Sequence, residues 1–546
     1  MNSSQRSRVV ALLLTVPAVL GGCGGGGGGS AAPSPPPAAS PPPPPVTAAV
    51  RVSGASPFAT NCAPALGQTL YPNSTVEPYL AVSPIDSKLL IGVWQQDRWS
   101  NDGAHGILTA RSVDGGATWS LPTPPPLSHC MGGTPANSGD YDRVSDPWVA
   151  FSSDGSSIYQ AALAFTTGTS SAVVVSVSTD LGQTWSAPVA VIRDAPDTTF
   201  NDKDAITADP VNPAYAYVVW DRTPGDQPAM IARTVDRGLT WQPVQVLFDP
   251  GSGNGTIGNV IVGLNGGAPL GTLVDCFTQF ASFGVATLRV IRSTDQAQTW
   301  PAGGLATVAS VNSVQTRDPL NGAPVRDGSI LGSFAADPRP GSTTLYAAWE
   351  DATPVTGHAY NAILLSRSSD GGATWSGAFR VNADLTVPAF DPAVTVRGDG
   401  EIGLTYYDFR GSLSSGLPVS YWLARSSDGG ATWIESMIDG PFDLSGAPIV
   451  QGQYFLGDYQ ALQWAGSDFL PFYAKTSAAS TGPTDVFFNS LPIVHGQAAR
   501  QAQAAHYAAV PVTFGPQSAQ FRQAVQDNLQ RSLTRRRQAA ALWPPR

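Results

Sequence analysis

Ser112-Val113-Asp114-Gly115-Gly116-Ala117-Thr118-Trp119 is the first of six copies of one pattern, S/T-x-D-x-G-x-T-W. The others run Ser178–Trp185, Thr234–Trp241, Ser293–Trp300, Ser368–Trp375 and Ser426–Trp433. Their aspartates, Asp114, Asp180, Asp236, Asp295, Asp370 and Asp428, stand 66, 56, 59, 75 and 58 residues apart. A repeat of that period signals a propeller or an array of stacked units, each burying its apolar face against the next. Each copy follows an apolar or alternating run, such as Ala172–Val177 or Ala362–Ser366, which reads as a strand. The Ser/Thr and Asp side chains can bond the backbone of a tight turn, and Gly supplies a positive φ. Thr and Trp then start the next strand, with the indole buried against the sheet. The segment is therefore a β-hairpin stapled by its own side chains. In the fourth copy Ala297 stands where the turn Gly should be, so an altered turn is expected there.

The pattern resembles the Asp-box (BNR) repeat of the sialidase superfamily. That resemblance implies an all-β propeller of four-stranded antiparallel blades. Paired strands precede each box, at residues 77–93, 146–165, 203–220, 257–280, 327–349 and 391–407, and a seventh pair spans 457–473. The seventh is followed by Asp485–Asn489 without a box, and Ala49–Val52 can supply its fourth strand and close the ring. Seven strand pairs favour seven blades over six, filling residues 49–495, and closure of the ring removes exposed sheet edges.

The flanks differ from this body. Residues 1–22 carry Arg6 and Arg8 and an apolar stretch from Val9 to Leu20, the pattern of a secretory signal. Leu20-Gly21-Gly22-Cys23 resembles a bacterial lipobox, which implies lipidation of Cys23 and attachment to the cell envelope, at the outer membrane. Residues 23–48 are Gly- and Pro-rich, a tether that is part flexible and part polyproline II. Residues 496–546 form an Ala/Gln/Arg-rich tail in which Phe521, Val525, Leu529 and Leu533 fall four apart, a helical stripe. This helix is read either as docking on the propeller or anionic lipid, or as a solvated helix.

The net charge is −10. Setting aside two leader arginines and the net +5 of the last 31 residues leaves about −17 on residues 23–515. That excludes non-specific nucleic-acid binding by the body. Lipid at Cys23 and a glycan or glycoprotein ligand are the expected partners, with the chain itself a monomer. Cys62 and Cys130 lie in loops near the first repeat and are the favoured disulfide pair in an oxidising envelope, while Cys276 sits in an apolar strand as a buried thiol. No Cys/His spacing fits zinc and no loop of alternating oxygen ligands fits calcium, so neither metal nor cofactor is expected.

In a propeller, ligands bind at a mouth of the central channel. First strands open with Glu77-Pro, Asp146-Pro, Lys203-Asp204, Arg326-Asp327, Asp391-Pro and Gly457-Asp458, and second strands end in aromatic–acid–Arg clusters. Antiparallel geometry puts both on one face, away from the boxes on the outer hairpins. The resemblance to sialidases implies three arginines holding a carboxylate, a Tyr nucleophile, a Glu that takes its proton, and an Asp acid. The residues offered on that face are Arg98, Arg222 and Arg410, Tyr407 (or Tyr406), Glu350 and Asp97. The Arg-Ile-Pro motif of that family is absent. The implied activity is that of an exo-acting sialidase-like glycoside hydrolase on terminal sugars. The competing readings are a propeller that binds glycan or protein without catalysis, and an endo-acting glucanase with two carboxylates.

Overall fold

The computed structural model describes residues 48–541 except 196–198, 224–226, 268, 282–285, 412, 414, 478–481, 492–506 and 516, and side chains through residue 534. The leader, Cys23 and nearly all of the tether lie outside these residues. The described chain is a seven-bladed β-propeller followed by one helix, Ala519–Ala541. The inner strands of blades 1 to 7 are Leu70–Val82, Arg143–Phe151, Phe200–Ala208, Asn254–Gly263, Ser333–Ala336, Ala389–Val396 and Ala461–Ala465. They stand side by side around a channel, the seventh meeting the first. Val50–Arg51 pairs antiparallel with Asp485–Phe488 and completes blade 7, as the sequence pattern anticipates.

Alternation along the second strands explains the packing, because successive side chains point to opposite faces. In blade 3, Val218 and Trp220 pack toward blade 2, while Tyr217 and Val219 pack toward blade 4. The same division gives one apolar cluster between every neighbouring pair of blades, around the whole ring. Each box tryptophan joins the cluster shared with the preceding blade. Trp119 packs between blades 7 and 1, Trp241 between 2 and 3, and Trp433 between 5 and 6.

The boxes lie on outer hairpins and share one bonding scheme. Ser112 Oγ donates to Asp114 Oδ1 at 2.8 Å and accepts from Gly116 N–H at 2.8 Å, while the Thr118 hydroxyl donates to Asp114 Oδ2 at 2.6 Å. Two consecutive positive-φ residues form the turn, such as Gly115 (78°) and Gly116 (90°). The fourth copy is not altered, contrary to expectation. Gln296 (58°) and Ala297 (61°) adopt the same conformation, and Ala297 N–H still reaches Ser293 Oγ at 3.0 Å. The Ala297 methyl fits because it joins the apolar cluster of blades 3 and 4.

Blade 5 differs from the sequence reading. Its inner strand is Ser333–Ala336, not a strand from Asp327. The preceding Val325–Arg326 instead pairs in parallel with Tyr454–Phe455 across the mouth of the channel. The long 75-residue step between the fourth and fifth boxes accommodates this insertion. Blade 1 has three strands, and a single Arg111–Ser120 bridge takes the place of its fourth. Cys62 and Cys130 form the disulfide, and Cys276 is a buried free thiol.

After the ring, Tyr507–Ala508 and Val510–Pro511 cover the outer edges of blades 6 and 5. The tail helix then docks on the propeller through its apolar stripe. Leu529 and Leu533 enter the cluster of blades 4 and 5, and Phe521 and Val525 pack with Val314 and Ala352. Among the described residues no helix is long and apolar enough to cross a membrane.

A Cβ at Gly116 would lie 2.0 Å from the Phe488 ring, in a φ of 90° that L-residues avoid. Gly116→Ala is expected to lower unfolding free energy by about 1–3 kcal/mol in denaturant titration, as overpacking does. Ala297→Gly should change it by about 1 kcal/mol or less, because lost methyl packing offsets relieved strain.

Candidate functional site

The inner strands of five blades contain the same irregularity, a positive-φ residue: Glu77 (52°), Asp146 (49°), Lys203 (52°), Gly258 (72°) and Asp391 (51°). Register shifts occur at this point in all five, blades 1, 2, 3, 4 and 6. A bulge re-aims side chains at a strand end. Four of these five positions are charged residues held in a conformation that costs a non-glycine residue about 1–2 kcal/mol. Such strain gathers at functional sites, where surrounding structure enforces it.

The bulges bring blades 1, 2, 3 and 7 to one ammonium. Lys203 Nζ lies 2.7 Å from Asp458, 3.3 Å from Asp146 and 3.6 Å from Glu77. Arg326, delivered by the insertion before blade 5, grips Asp458 bidentately at 3.0 and 2.7 Å. Arg98 donates to Gln95 at 2.6 Å and faces Asp102 at 3.4 Å. The Arg98 and Arg326 guanidinium groups both lie against the Phe455 ring, at 5.2 and 4.5 Å. Ser145 Oγ donates to Asp146 at 2.7 Å, and Gln95 links Ser145 to Glu77.

Two spaces adjoin this cluster. A cavity of about 50 Å³ at the outer mouth is lined by Asp102, Asp146, Lys203, Arg326, Asp458 and, from the tail helix, Ser532. The channel below has a volume of about 300 Å³. Its wall includes Tyr79, Trp148 and Tyr459, tilted against one another with ring centroids 3.9 and 5.7 Å apart, and the buried Asp204, neither of whose oxygens has a hydrogen-bond partner.

The environment separates the protonation of these carboxyls. Burial pushes Glu77 up to about 8, with Lys203 opposing and Asp146 and Asp458 reinforcing the rise. Burial likewise raises Asp102, against the pull of Arg98. Asp458 goes the other way: burial opposes its ionisation, yet Arg326 and Lys203 hold it below the usual carboxylate range. Burial works against a charged Lys203 as well, but Asp146, Asp458 and Glu77 raise it above the ordinary lysine value.

The structure scatters the residues expected from sequence. Arg98 is in the mouth cluster. Arg222 pairs with Asp194 at 2.7 Å, between the outer part of blade 2 and blade 3. Arg410 lies 3.5 Å over the Trp422 ring and bonds Asp408, Glu435 and the Tyr406 hydroxyl. Each arginine therefore has its own partners, and no shared clamp is formed. Tyr407 faces the core between blades 6 and 7, where its hydroxyl donates to the Ala474 carbonyl at 2.6 Å and burial raises it far above the ordinary tyrosine value. Strand alternation sends it there, and the same alternation sends Tyr406 toward blade 5 and onto Glu435. Glu350 is buried, accepting from Asp391 N–H at 3.0 Å and Asn361 at 2.8 Å, and burial beside Asp327 and Asp391 raises its pKa well above the usual range. Asp97 accepts from Asn73 N–H and Ser56 Oγ, both at 2.7 Å, and so ties the N-terminal segment to blade 1. Of the acids opening the first strands, Glu77, Asp146 and Asp458 do converge. Asp102 had no comparable signal, and Arg326, expected to open a first strand, arrives on the insertion before blade 5. Among the described residues, the one His/Cys/carboxylate group with metal-like spacing is Cys62, His105 and Cys130, and its two sulfurs are joined in the disulfide.

No family model and no curated protein matches the chain. Solved structures resemble it distantly. The Hadza microbial sialidase Hz136 is 14% identical over 73% of this chain and 76% of its own, with a TM-score of 0.41. The NanB sialidase from Streptococcus pneumoniae is 10% identical over 78% of this chain and 94% of its own, at 0.42. The Penicillium chrysogenum α-L-arabinanase is 13% identical over 82% of this chain and 99% of its own, at 0.41.

Because the folded state holds a proton on Glu77 from its ordinary value near 4.5 up to about 8, its contribution to stability is complete below 4.5 and is lost as pH rises through 8. Wild type is expected to lose thermal stability relative to Glu77→Gln over that interval. Parallel melting curves from pH 4.5 to 8.5 measure the difference.

Proposed function

We propose that the protein is a glycoside hydrolase acting on terminal sugars of glycans at the channel mouth. The observation that supports this most is the convergence of Asp102, Asp146 and Asp458 on one small cavity in unlike electrostatic settings. Burial favours the protonated form of Asp102, while Arg326 and Lys203 hold Asp458 ionised, so a carboxylic acid and a carboxylate stand at one cavity, as hydrolysis of a glycosidic bond requires. Asp102, raised by burial, is the acid and gives its proton to the glycosidic oxygen as the bond to the anomeric carbon breaks. Asp146, supported by Ser145 and Lys203, takes the proton of the water that adds to that carbon. Water is thus added across the bond, and both residues are reset by proton exchange. Glu77, Asp458, Arg326 and Lys203 hold the pair in position.

The substrate proposed is a glycan whose terminal sugar has no carboxylate. Acids outnumber cations at the cluster, and its two nearest cations, Lys203 and Arg326, are already engaged by Asp458. An anionic sugar would meet repulsion, and the separate settings of Arg98, Arg222 and Arg410 supply no clamp for it. Attachment to the envelope through Cys23 belongs to this proposal and rests on the Leu20–Cys23 motif alone. A second reading, binding without turnover, is favoured by one observation: the outer cavity is only about 50 Å³.

The test is turnover of a panel of aryl glycosides and oligosaccharides by the full chain, with and without Leu529→Asp, which loosens the tail helix. Hydrolysis that falls about 10²–10⁴-fold in Asp102→Asn and Asp146→Asn is expected. Binding without turnover would favour the second reading, and neither binding nor turnover would overturn both.

A further inference from the structure

The tail helix stands over the site just described. Ser532 lines the outer cavity together with Asp102, Asp146 and Lys203. One turn earlier, Leu529 is almost fully buried against the lip of the channel, in the cluster that contains Ile257 and Ile330, and both of those residues line the same cavity or lie against it. Asn528 is also buried, and its side-chain amide donates to the Ser313 carbonyl at 3.2 Å and to Ser329 Oγ at 3.1 Å. Ser329 lies in the insertion that carries Arg326 and Asp327. Farther out, Phe521 stacks on His358 at 4.0 Å, and Gln517 bonds Asn312 at 2.7 Å.

We propose that this helix is an autoinhibitory lid, which closes the channel mouth when docked and admits substrate when displaced. This rests on the reading of the mouth as the catalytic site. A volume of about 50 Å³ is small beside ligand pockets, which run from about 300 Å³ upward. The docked state therefore narrows the space at Asp102 and Asp146, with Ser532 of the helix on its wall.

The design of the chain supports displacement without loss of the ring. The helix is no part of any blade. The blade 7 closure by Val50–Arg51 is made elsewhere, and the connection to the helix runs along outer edges of blades 6 and 5. Its attachment is concentrated in one stripe: Phe521, Val525, Asn528, Leu529 and Leu533. One face of one helix thus carries the attachment, so one polar substitution in it loosens the helix without touching a blade.

The experiment compares hydrogen exchange and glycan turnover in the full chain for wild type, Leu529→Asp and Asn528→Ala. The second variant deletes only the amide contacts and guards against misfolding of the first. The inference expects exchange to rise at least 10-fold in residues 326–331 and 451–458, with the inner strands of blades 2 and 3 unchanged and turnover rising at least 10-fold. Faster exchange at the mouth with no turnover in any protein would keep the lid and overturn the catalytic reading. Unchanged mouth exchange in both variants, or an equal rise throughout the propeller, would overturn the lid.

Discussion

Val50 and Arg51 pair with Phe488 and Phe487, so the last blade receives its outer strand from the beginning of the ring. Ser53 extends the seal, donating to Asp485 at 2.7 Å and accepting from Val486 N–H at 2.9 Å. The contacts of Asp458 at the mouth depend on this closure. The contact of Asp458 with the bulge at Glu77 spans 381 residues of chain, and that with Lys203 spans 255. Neither can be made until blade 7 stands beside blade 1. The ordering entropy of so large a loop is met by the apolar clusters between blades, which repeat around the whole ring.

The fold was legible because its evidence is periodic. Six copies of a turn with obligatory chemistry, each after an apolar run, leave few architectures, and the uncoupled seventh strand pair supplied the blade that has no box. The tail stripe at 521, 525, 529 and 533 was equally plain, since each of those side chains is buried. The site was legible only in part. Acids at the first-strand starts were visible, and Glu77, Asp146 and Asp458 meet there. Tyr407 turns into the packing between blades 6 and 7 because a strand end adjacent to the channel face still alternates its side chains, while Glu350 and Asp97 are held by local hydrogen bonds. Arg326 was assigned to an inner strand, whereas its parallel pairing with Phe455 is a tertiary event that no local pattern encodes. Asp102 sits in a short turn between strands and carries no motif at all.

The mouth is built against local preference. Glu77, Asp146 and Lys203 take left-handed backbone conformations where glycine would be easier, and their polar side chains are withdrawn from water. Buried ionic groups contribute little net stability compared with apolar replacements. Strain and buried charge coincide at one end of one channel, and an aromatic wall lies directly beneath them. Proteins retain such combinations where function demands them and the rest of the structure can sustain them.

The unfolding free energy of Asp146→Gly tests this most directly. Glycine relieves a φ of 49°, and Lys203 keeps Asp458 and Glu77 as partners, so no charge is abandoned. If Asp146 is held there for function, the variant should be within about 1 kcal/mol of wild type or more stable. A loss of about 3–5 kcal/mol, the cost of breaking a buried ion pair, would make Asp146 a structural residue and contradict the account.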